Sequence, residues 1–529
     1  ELQDMYSGGN GGGRFDANGN VVAAGAFGTN TSASWGSLIG PDNPDAPRAY
    51  DNYDQFFETG QTWNNNVAIS AGNENSQIRF SYGNTNQTGI VPNTELQRNS
   101  FRLNADTKVG ALKFSAFANY TNTQDIKAQN GSNLSGVMLS LTRMHANFDV
   151  VGGEGPNGYD NPDGSPYNYF FAYDNPLWSA YNNPLTGDVD RITGGITGTW
   201  SPLTWLDVTA RVGVDNYTDR RKQIFAVGAF DPPAPVGEVW ENTQRHREIN
   251  TDIFATANKA LTSSIEGSLT VGMNLNSRFD DDAFARGRNL AIPGFYNLSN
   301  ASDLYNSQVT TEKRLAGVYF AAGASWANQL YVQVTGRNDW ASTFGADARD
   351  KGFFYPGANL SWVFSENFES DIVSFGKVRL SWAQAGIEPP AYRTVTYFNA
   401  PFITDGFTDG LGFPYGGQNG FGQSSSLGNV DLEPEVVTTI EAGVQLKLFN
   451  NRINLDLNYY DAQSSNLLVL RPIAPSTGFE AAFTNIGEMS NKGFEIELGA
   501  NIVNTRNFSW DINANWTKNV NEVTKLVTG

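Results

Sequence analysis

Apolar and polar side chains alternate with a period of two along much of the chain, as they do in β-strands that have one apolar face. The clearest case is the uncharged stretch 315–336. Val318 and Phe320 share one face there, the chain turns at Ala327 and Asn328, and the alternation then resumes. This pattern predicts a tight β-hairpin. A single membrane helix is the weaker interpretation, because glycine, serine, asparagine and glutamine interrupt the stretch.

The same alternation recurs and predicts about sixteen strands. Strands of soluble proteins are most often about 5–6 residues long, whereas a tilted strand that crosses a membrane needs about 9–11. These segments are of the longer kind. They are centred on residues 67–71, 78–82, 101–105, 112–120, 192–200, 206–214, 249–257, 265–275, 318–326, 330–334, 355–362, 378–382, 440–448, 453–459, 494–500 and 510–516.

The two faces of these strands differ in chemistry. One face carries hydroxyl, amide and charged side chains, and the other is aliphatic or aromatic, with rings such as Tyr120, Trp200 and Trp326 at strand ends. A membrane barrel has lipid outside, a wet lumen inside and aromatic belts at both interfaces. The chain is therefore predicted to be all-β, a transmembrane antiparallel β-barrel. A large soluble sandwich or propeller is the alternative.

The connections alternate between short turns and long loops, which in outer-membrane barrels lie on the periplasmic and extracellular rims respectively. On this basis residues 1–61 form an extracellular loop, 62–520 form the barrel strands with long extracellular loops, and 521–529 begin another extracellular loop. Strands are then expected before residue 1 and after residue 529, so the chain is predicted to be a fragment. The predicted long loops are 122–189, 218–243, 276–310, 386–434 and 462–481.

Composition excludes several function classes. The chain has 529 residues and a formal net charge of −19, with no run of Lys or Arg that would suit nucleic acid. It has no cysteine and two histidines, His145 and His246, which lie about a hundred residues apart without metal-ligand spacing. No nucleophile and base occur in a catalytic pattern, so we expect neither an enzyme nor a bound cofactor.

An aromatic-rich segment, 157–183, is the candidate ligand-binding loop. Stacking on sugar rings or on peptide side chains is one use for such rings. Packing of the loop against its neighbours is the other, and it is the commoner use of buried rings. The candidate ligand-binding residues are Tyr167, Tyr169, Phe170, Phe171 and Trp178.

Two polar features have competing interpretations. Asp280, Asp281 and Asp282 fall in a predicted loop, where they could hold calcium, although acidic loop tips are usually only solvated. Four arginines face the lumen by parity, Arg79, Arg102, Arg211 and Arg337. Such arginines are more often paired with carboxylates of the plug or the wall than used to bind a ligand.

Several short motifs resemble those of the SusC/RagA-like TonB-dependent transporters of the outer membrane. They follow one another in order and cover most of the chain from about residue 60 to 519. They include Asn182-Asn183-Pro184, Gly336-Arg337-Asn338-Asp339-Trp340, Asp431-Leu432-Glu433-Pro434-Glu435 and Asn491-Lys492-Gly493-Phe494-Glu495.

This resemblance implies a 22-stranded barrel in the outer membrane of a Gram-negative cell, of which the sixteen strands would be the second to the seventeenth. It also implies a plug domain and a TonB-box outside the given residues. The implied activity is TonB-dependent import of oligosaccharides or peptides beneath a surface lipoprotein of the SusD type. The alternative is a barrel that serves as a non-importing component of a larger outer-membrane assembly.

Overall fold

The structure is a computed structural model that describes residues 6–9, 14–15, 21–23, 31–38, 48–129, 135–170, 173–230, 236–399, 402–403 and 411–526. Its dominant feature is one sheet of sixteen antiparallel strands in chain order, with β1 at one edge and β16 at the other. The strands are β1 Gln61–Gly72, β2 Ser76–Thr88, β3 Glu95–Val109, β4 Leu112–Lys127, β5 Leu185–Leu203, β6 Leu206–Phe225, β7 Glu238–Ala260, β8 Ile265–Leu290, β9 Ala301–Trp326, β10 Leu330–Ala341, β11 Phe353–Val363, β12 Val373–Ile387, β13 Glu435–Leu448, β14 Ile453–Ser465, β15 Glu488–Asn504 and β16 Ser509–Lys525.

Short helices and small sheets lie in the connections. None of the helices in the described part of the chain combines the length and the apolar character needed to cross a membrane. The α-helices are α1 Asn52–Phe56, α2 Val137–Arg143, α3 Pro176–Asn182 and α4 Ala346–Lys351, and the 3-10 helices are Leu298–Asn300, Phe364–Asn367 and Pro475–Thr477. The small sheets pair Tyr6–Gly9 with Thr31–Leu38, Arg14–Phe15 with Val21–Ala23, Phe398–Asn399 with Gly422–Gln423, Phe402–Ile403 with Leu411–Gly412, and Ala481–Asn485 with both Leu468–Pro472 and Ser426–Leu427.

The register of the large sheet places the apolar residues of neighbouring strands side by side. Ile253 on β7 pairs with Met273 on β8, and Met273 pairs with Val318 on β9. These side chains are exposed, as are Ile69 and Val271, at 67% and 54% of their surface. A contiguous exposed apolar band of this extent is the lipid-facing surface of a barrel rather than a surface for water.

Asparagine-rich turns close the short hairpins. Ala327 and Asn328, between β9 and β10, have φ of 51° and 57°, and Asn450 and Asn451, between β13 and β14, have 56° and 63°. Two consecutive residues with positive φ form the turn whose twist matches that of antiparallel strands, and asparagine tolerates this conformation. The predicted hairpin at 315–336 is therefore confirmed.

All sixteen predicted strands are confirmed, but several are longer than predicted. The loop predicted at 218–243 shrinks to 226–237, and the one predicted at 276–310 shrinks to 291–300, because β6, β7, β8 and β9 continue into them. These added segments lie at the strand ends next to the long connections, and we call them the upper segments. Both of their faces carry polar side chains, so the strict alternation that identified the lower halves is absent. The extracellular placement of residues 1–61 and 521–529 stays a prediction, and β16 continues to Lys525.

The lipid-facing band gives the first testable prediction. Leu269 lies on the apolar face of β8 opposite Ala257 and Ala322. We expect Leu269→Arg to lower the free energy of unfolding by about 2–4 kcal/mol, because the guanidinium must enter hydrocarbon. Guanidinium unfolding of the protein in lipid vesicles, followed by tryptophan fluorescence, measures the change.

Ala283→Arg is the matched control for this experiment. Ala283 lies on the same face of β8, beyond the apolar band, opposite Thr243 and Gln308. We expect this substitution to change stability by less than about 1 kcal/mol. Equal losses for both variants would show that Leu269 does not face lipid.

Candidate functional site

The polar face of the sheet carries charges that are paired within the sheet itself. Arg211 Nε on β6 lies 2.9 Å from Asp252 Oδ2 on β7. Arg337 Nε lies 2.6 Å from Asp339 Oδ1, two residues along β10. The prediction that arginines on this face pair with carboxylates is confirmed for Arg211 and Arg337. It is not confirmed for Arg79 and Arg102, which form no ion pair in the described part of the chain; Arg102 Nε donates to Asn104 Oδ1 at 3.2 Å.

A glycine makes room for an ion pair between two strands that are not neighbours in the sheet. Arg379 on β12 crosses β13 to reach Asp456 on β14, with Nη2 2.7 Å from Oδ1. The strand between them carries Gly443 at the crossing point, where a Cβ atom would collide with the guanidinium. Only a residue without a side chain lets an arginine lie flat across an intervening strand.

Amide side chains extend the network around these pairs. Asn274 Nδ2 donates to Asp252 Oδ1 at 2.9 Å and to Asn250 Oδ1 at 3.0 Å. Asn276 Nδ2 donates to Glu248 Oε1 at 2.7 Å, and Arg278 Nη2 lies 3.1 Å from the other oxygen of the same carboxylate. The face therefore presents hydroxyl and amide groups between neutralised charges, which suits a hydrated, polar passage.

The prediction that Asp280–Asp282 form a loop tip is wrong, because these residues lie within strand β8. Asp280 Oδ1 lies 2.5 Å from His246 Nδ1, and Asp282 accepts a hydrogen bond from Asn242 at 2.6 Å. Asp281 points to the opposite face and accepts from Gln308 at 2.9 Å. Among the residues the structure describes, no group of three or more His, Cys, Asp or Glu is placed to hold a metal ion.

The connection between β4 and β5 folds together with α1, which precedes β1, into a compact unit that we call the loop cluster. It comprises α1, α2, α3 and residues 144–170 and 173–175. Aromatic rings pack within it, with Phe148 stacked on Tyr167 at 4.9 Å between ring centroids. Burial of such rings supplies most of the stability of a small unit. Its buried core consists of Phe56, Val137, Leu141, Met144, Phe148, Val150, Tyr169, Leu177 and Ala180.

Asn175 is the central polar residue of the loop cluster and is fully buried. Its Oδ1 accepts from Leu177 N at 3.0 Å and so caps α3, whose first residue, Pro176, has no N–H group that would need an acceptor. Its Nδ2 donates to Val150 O at 2.8 Å and to Tyr167 O at 3.0 Å. The Asn175 side chain thus joins α3 to two separate segments of the loop cluster.

Asp174 and Asn183 tie the loop cluster to the sheet. Asp174 is fully buried, and its Oδ2 accepts from Ser135 Oγ at 2.5 Å and from Phe230 N at 3.0 Å. Asn183 Oδ1 accepts from Ala226 N at 2.9 Å, just beyond the end of β6. Because these bonds are buried, the loop cluster is held over the connection between β6 and β7.

The structure divides the predicted ligand-binding aromatics into two groups. Trp178 and Tyr169 are 2% and 7% exposed, and both rings are parts of buried clusters. Tyr167 and Phe170 are half-buried and pack against the outside of the same core. Phe171 lies outside the described residues. Their role in ligand binding stays a prediction.

Burial also raises the pKa of the tyrosine hydroxyls in this aromatic set. The apolar surroundings of Tyr169 raise the pKa of its phenol well above the ordinary value, with Tyr173 nearby adding to the shift. Partial burial raises the pKa of Tyr167 in the same direction. Both hydroxyls therefore stay neutral at physiological pH.

Comparison with known proteins gives the family. Residues 140–528 match the family described as TonB dependent receptor-like, beta-barrel. The chain belongs to this family. The all-β fold and the location in the Gram-negative outer membrane, both predicted from sequence, are thereby confirmed, as is the resemblance to SusC and RagA.

Two curated relatives of this barrel are receptors. TonB-dependent receptor SusC of Bacteroides thetaiotaomicron is 26% identical over 503 residues, covering 90% of this chain and 48% of the relative. TonB-dependent receptor P3 of Formosa agariphila is 24% identical over 504 residues, covering 91% and 48% respectively. The chain thus spans about half the length of the curated relatives it matches. The relatives are receptors and transporters rather than enzymes, as predicted.

Solved structures share the fold of this TonB-dependent receptor barrel. The RagAB peptide importer in its "open-open" state matches with a TM-score of 0.76 and 20% identity, over 91% of this chain and 53% of that chain. The ferripyoverdine receptor of Pseudomonas aeruginosa matches with a TM-score of 0.55 and 13% identity, over 96% and 60%.

The first prediction from this site concerns Asn175. We expect Asn175→Ala to destabilise the loop cluster by about 2–3 kcal/mol, because it removes a helix cap and leaves buried carbonyls without donors. Limited proteolysis of the folded barrel should then cut within residues 135–183 much faster. Glu154→Ala, at an exposed position in the same unit, is the control and should leave the cutting rate unchanged.

The second prediction concerns Arg211 and Asp252, whose carboxylate is buried while the arginine is about half exposed. We expect Arg211→Ala to lower the free energy of unfolding by about 1–3 kcal/mol, because Asp252 keeps its charge without its partner. The double variant Arg211→Ala with Asp252→Asn should regain most of that loss in the same unfolding measurement. An additive loss would contradict the pairing.

Proposed function

We propose that the whole protein imports oligosaccharides or peptides across the outer membrane, using energy delivered through TonB. The observation that carries this proposal is a polar sheet face with internally paired charges in a chain of the TonB-dependent receptor family. Such a face offers amide groups and paired charges as partners, which matches ligands that are polar along their length.

Two ligand classes fit this chemistry. The RagAB structures are those of a peptide importer, whereas the name of SusC states no ligand. Sugars and peptide backbones both present alternating donors and acceptors, so an amide-rich wall serves either. We therefore carry both classes into the experiment.

We also propose a surface lipoprotein of the SusD type as the lid of this importer, with TonB acting through a plug domain. The supporting feature is the connection between β12 and β13, on the predicted extracellular side. This connection exposes several large apolar side chains to solvent, and such apolar patches are typical of interaction sites. The most exposed are Phe398, Tyr415, Phe421 and Val430.

Within the loop cluster, we propose Tyr167 and Phe170 as ligand contacts. They remain half-buried, so a ligand can reach their rings without unpacking the core. Tyr169, Trp178 and the neighbouring Phe171 complete the aromatic set predicted from sequence. Tyr169 lies beside Phe170, with 6.4 Å between ring centroids, whereas Trp178 is buried in a second cluster that contains neither of the two outer rings.

Uptake by cells tests the import proposal. A strain that lacks the full-length gene, complemented with it, should take up labelled oligosaccharides or peptides of one class. Uptake by the complemented strain should disappear when TonB is deleted from it. Uptake that persists without the gene would leave the alternative, a non-importing barrel within a larger outer-membrane assembly.

The aromatic contacts give a prediction within this assay. We expect Tyr167→Ala with Phe170→Ala to raise the ligand concentration for half-maximal uptake by about tenfold, since each lost stacking contact weakens binding by about 0.5–1.5 kcal/mol. Tyr167→Phe with Phe170→Tyr keeps both rings and should preserve uptake. A tenfold loss in both variants would point to damage to the loop cluster instead.

A further inference from the structure

A shallow depression lies on the outer face of the sheet, at the upper limit of the lipid-facing band. Its volume is about 400 Å³, and residues of β7, β8, β9, β10 and α4 line it. We call it the rim depression. Its lining includes Ile249, Leu275, Ser277, Arg314, Trp340 and Arg349.

Strand register explains the shape of the rim depression. In one cross-strand row, Leu275 on β8 lies opposite Ala316 on β9, and Ala316 lies opposite Trp340 on β10. In the next row towards the long connections, Ser277 lies opposite Arg314. Residues paired in this way have their side chains on the same face of a sheet. The small side chains of Ser277 and Ala316 therefore leave a hollow between larger neighbours.

The lower part of the rim depression belongs to the lipid-facing band. Leu275 follows Met273 on the same face of β8 and is 46% exposed. Trp340 lies near the upper end of β10, and amphipathic rings of this kind are typical of the boundary between a membrane and water. The depression thus begins in hydrocarbon and ends at the level of the lipid headgroups.

The upper part of the rim depression is cationic. Arg314 lies two residues beyond Ala316 on the outer face of β9, and Arg349 lies in the last turn of α4. Glu312 Oε2 lies 3.2 Å from Arg314 Nη2, but both side chains are largely exposed, and exposed pairs of this kind are weak. Arg349 forms no ion pair with any residue that the structure describes. Two arginines therefore line the same hollow.

The occupant has to match both parts of the rim depression. Inorganic phosphate would use the arginines but not the apolar floor. An uncharged lipid would cover Leu275 and Trp340 but would not use the arginines. A lipid with a phosphate headgroup uses both, because its hydrocarbon chain lies in the membrane and its phosphate lies directly above that chain.

We propose that the rim depression binds a phosphorylated lipid of the outer leaflet, with a hydrocarbon chain along Leu275 and Trp340 and the phosphate between Arg314 and Arg349. A planar guanidinium group donates two N–H groups to phosphate oxygens, which makes arginine well suited to this contact. The Ser277 hydroxyl adds a donor from the floor. The site depends on membrane location alone, so a barrel that imports nothing would bind the lipid equally.

Native mass spectrometry of the full-length protein, purified in detergent, tests this proposal. The protein is titrated with bisphosphorylated lipid A and, separately, with the same lipid after removal of its phosphates. We expect one lipid A molecule to bind at least about tenfold more tightly than its dephosphorylated form, because two arginines near a membrane surface attract a phosphate. Equal affinities would overturn the proposal.

Charge removal locates the site. We expect Arg314→Gln with Arg349→Gln to abolish the preference for the phosphorylated lipid. Arg220→Gln with Lys222→Gln is the matched control, because it removes two positive charges from the upper segment of β6 on the same outer face. This control should keep the preference. Equal losses in the two double variants would show a diffuse attraction over the outer surface and would contradict a specific site.

Filling the hollow separates the rim depression from the charges around it. Ser277 is exposed, so Ser277→Trp disturbs no packed core while it occupies the hollow and leaves both arginines in place. We expect this variant to lose the tightly bound lipid A, whereas Ser277→Ala should weaken binding by about fivefold or less. Tight binding that survives in Ser277→Trp would place the lipid elsewhere. Circular dichroism of every variant first establishes that the β-sheet is intact.

Discussion

The satisfaction of backbone hydrogen bonds in lipid is the constraint on which this structure depends. Hydrocarbon offers no partner for an N–H or C=O group, so every residue of the band must bond to a neighbouring strand. Sixteen antiparallel strands in uninterrupted chain order meet this demand everywhere except along the outer sides of the two terminal strands of the described sheet, β1 and β16. The outward side chains are then free to be aliphatic or aromatic, and the inward ones to be polar. The exposed apolar face and the ion-paired face are two results of one rule.

Above the lipid the constraint changes, and so does the construction. Water can bond any free backbone group, so the chain folds there as a soluble protein does, around a hydrophobic core with buried polar side chains at its junctions. Asn175 and Asp174 are such junctions. The aromatic rings that look like a binding surface in the sequence are partly this core. Trp178 and Tyr169 are buried in two separate clusters, and Tyr167 and Phe170 pack on the outside of the cluster that contains Tyr169.

The lipid-facing strands could be predicted from sequence because lipid imposes a strict alternation, as at Val318 and Phe320. The upper halves of β8 and β9 could not be predicted in this way, because polar side chains occur on both of their faces. In water, no strict alternation is required there. Asp280 to Asp282 were placed in a loop for that reason.

The polar junctions of the loop cluster are only partly predictable from the sequence. Asparagine before proline at Asn175 and Pro176 is the pattern of a helix start, but nothing local shows that the amide also reaches Val150. The pairing of Arg379 with Asp456 was beyond prediction, since it depends on Gly443 in a third strand.

The paired charges of the polar face have a consequence for the range over which its arginines act. Between β6 and β14, the pairs Arg211–Asp252, Arg337–Asp339 and Arg379–Asp456 each place opposite charges within a few ångströms of each other. At a distance such a pair acts as a dipole, and the field of a dipole falls off faster than that of a single charge. These three guanidinium groups therefore attract an anion only at close range.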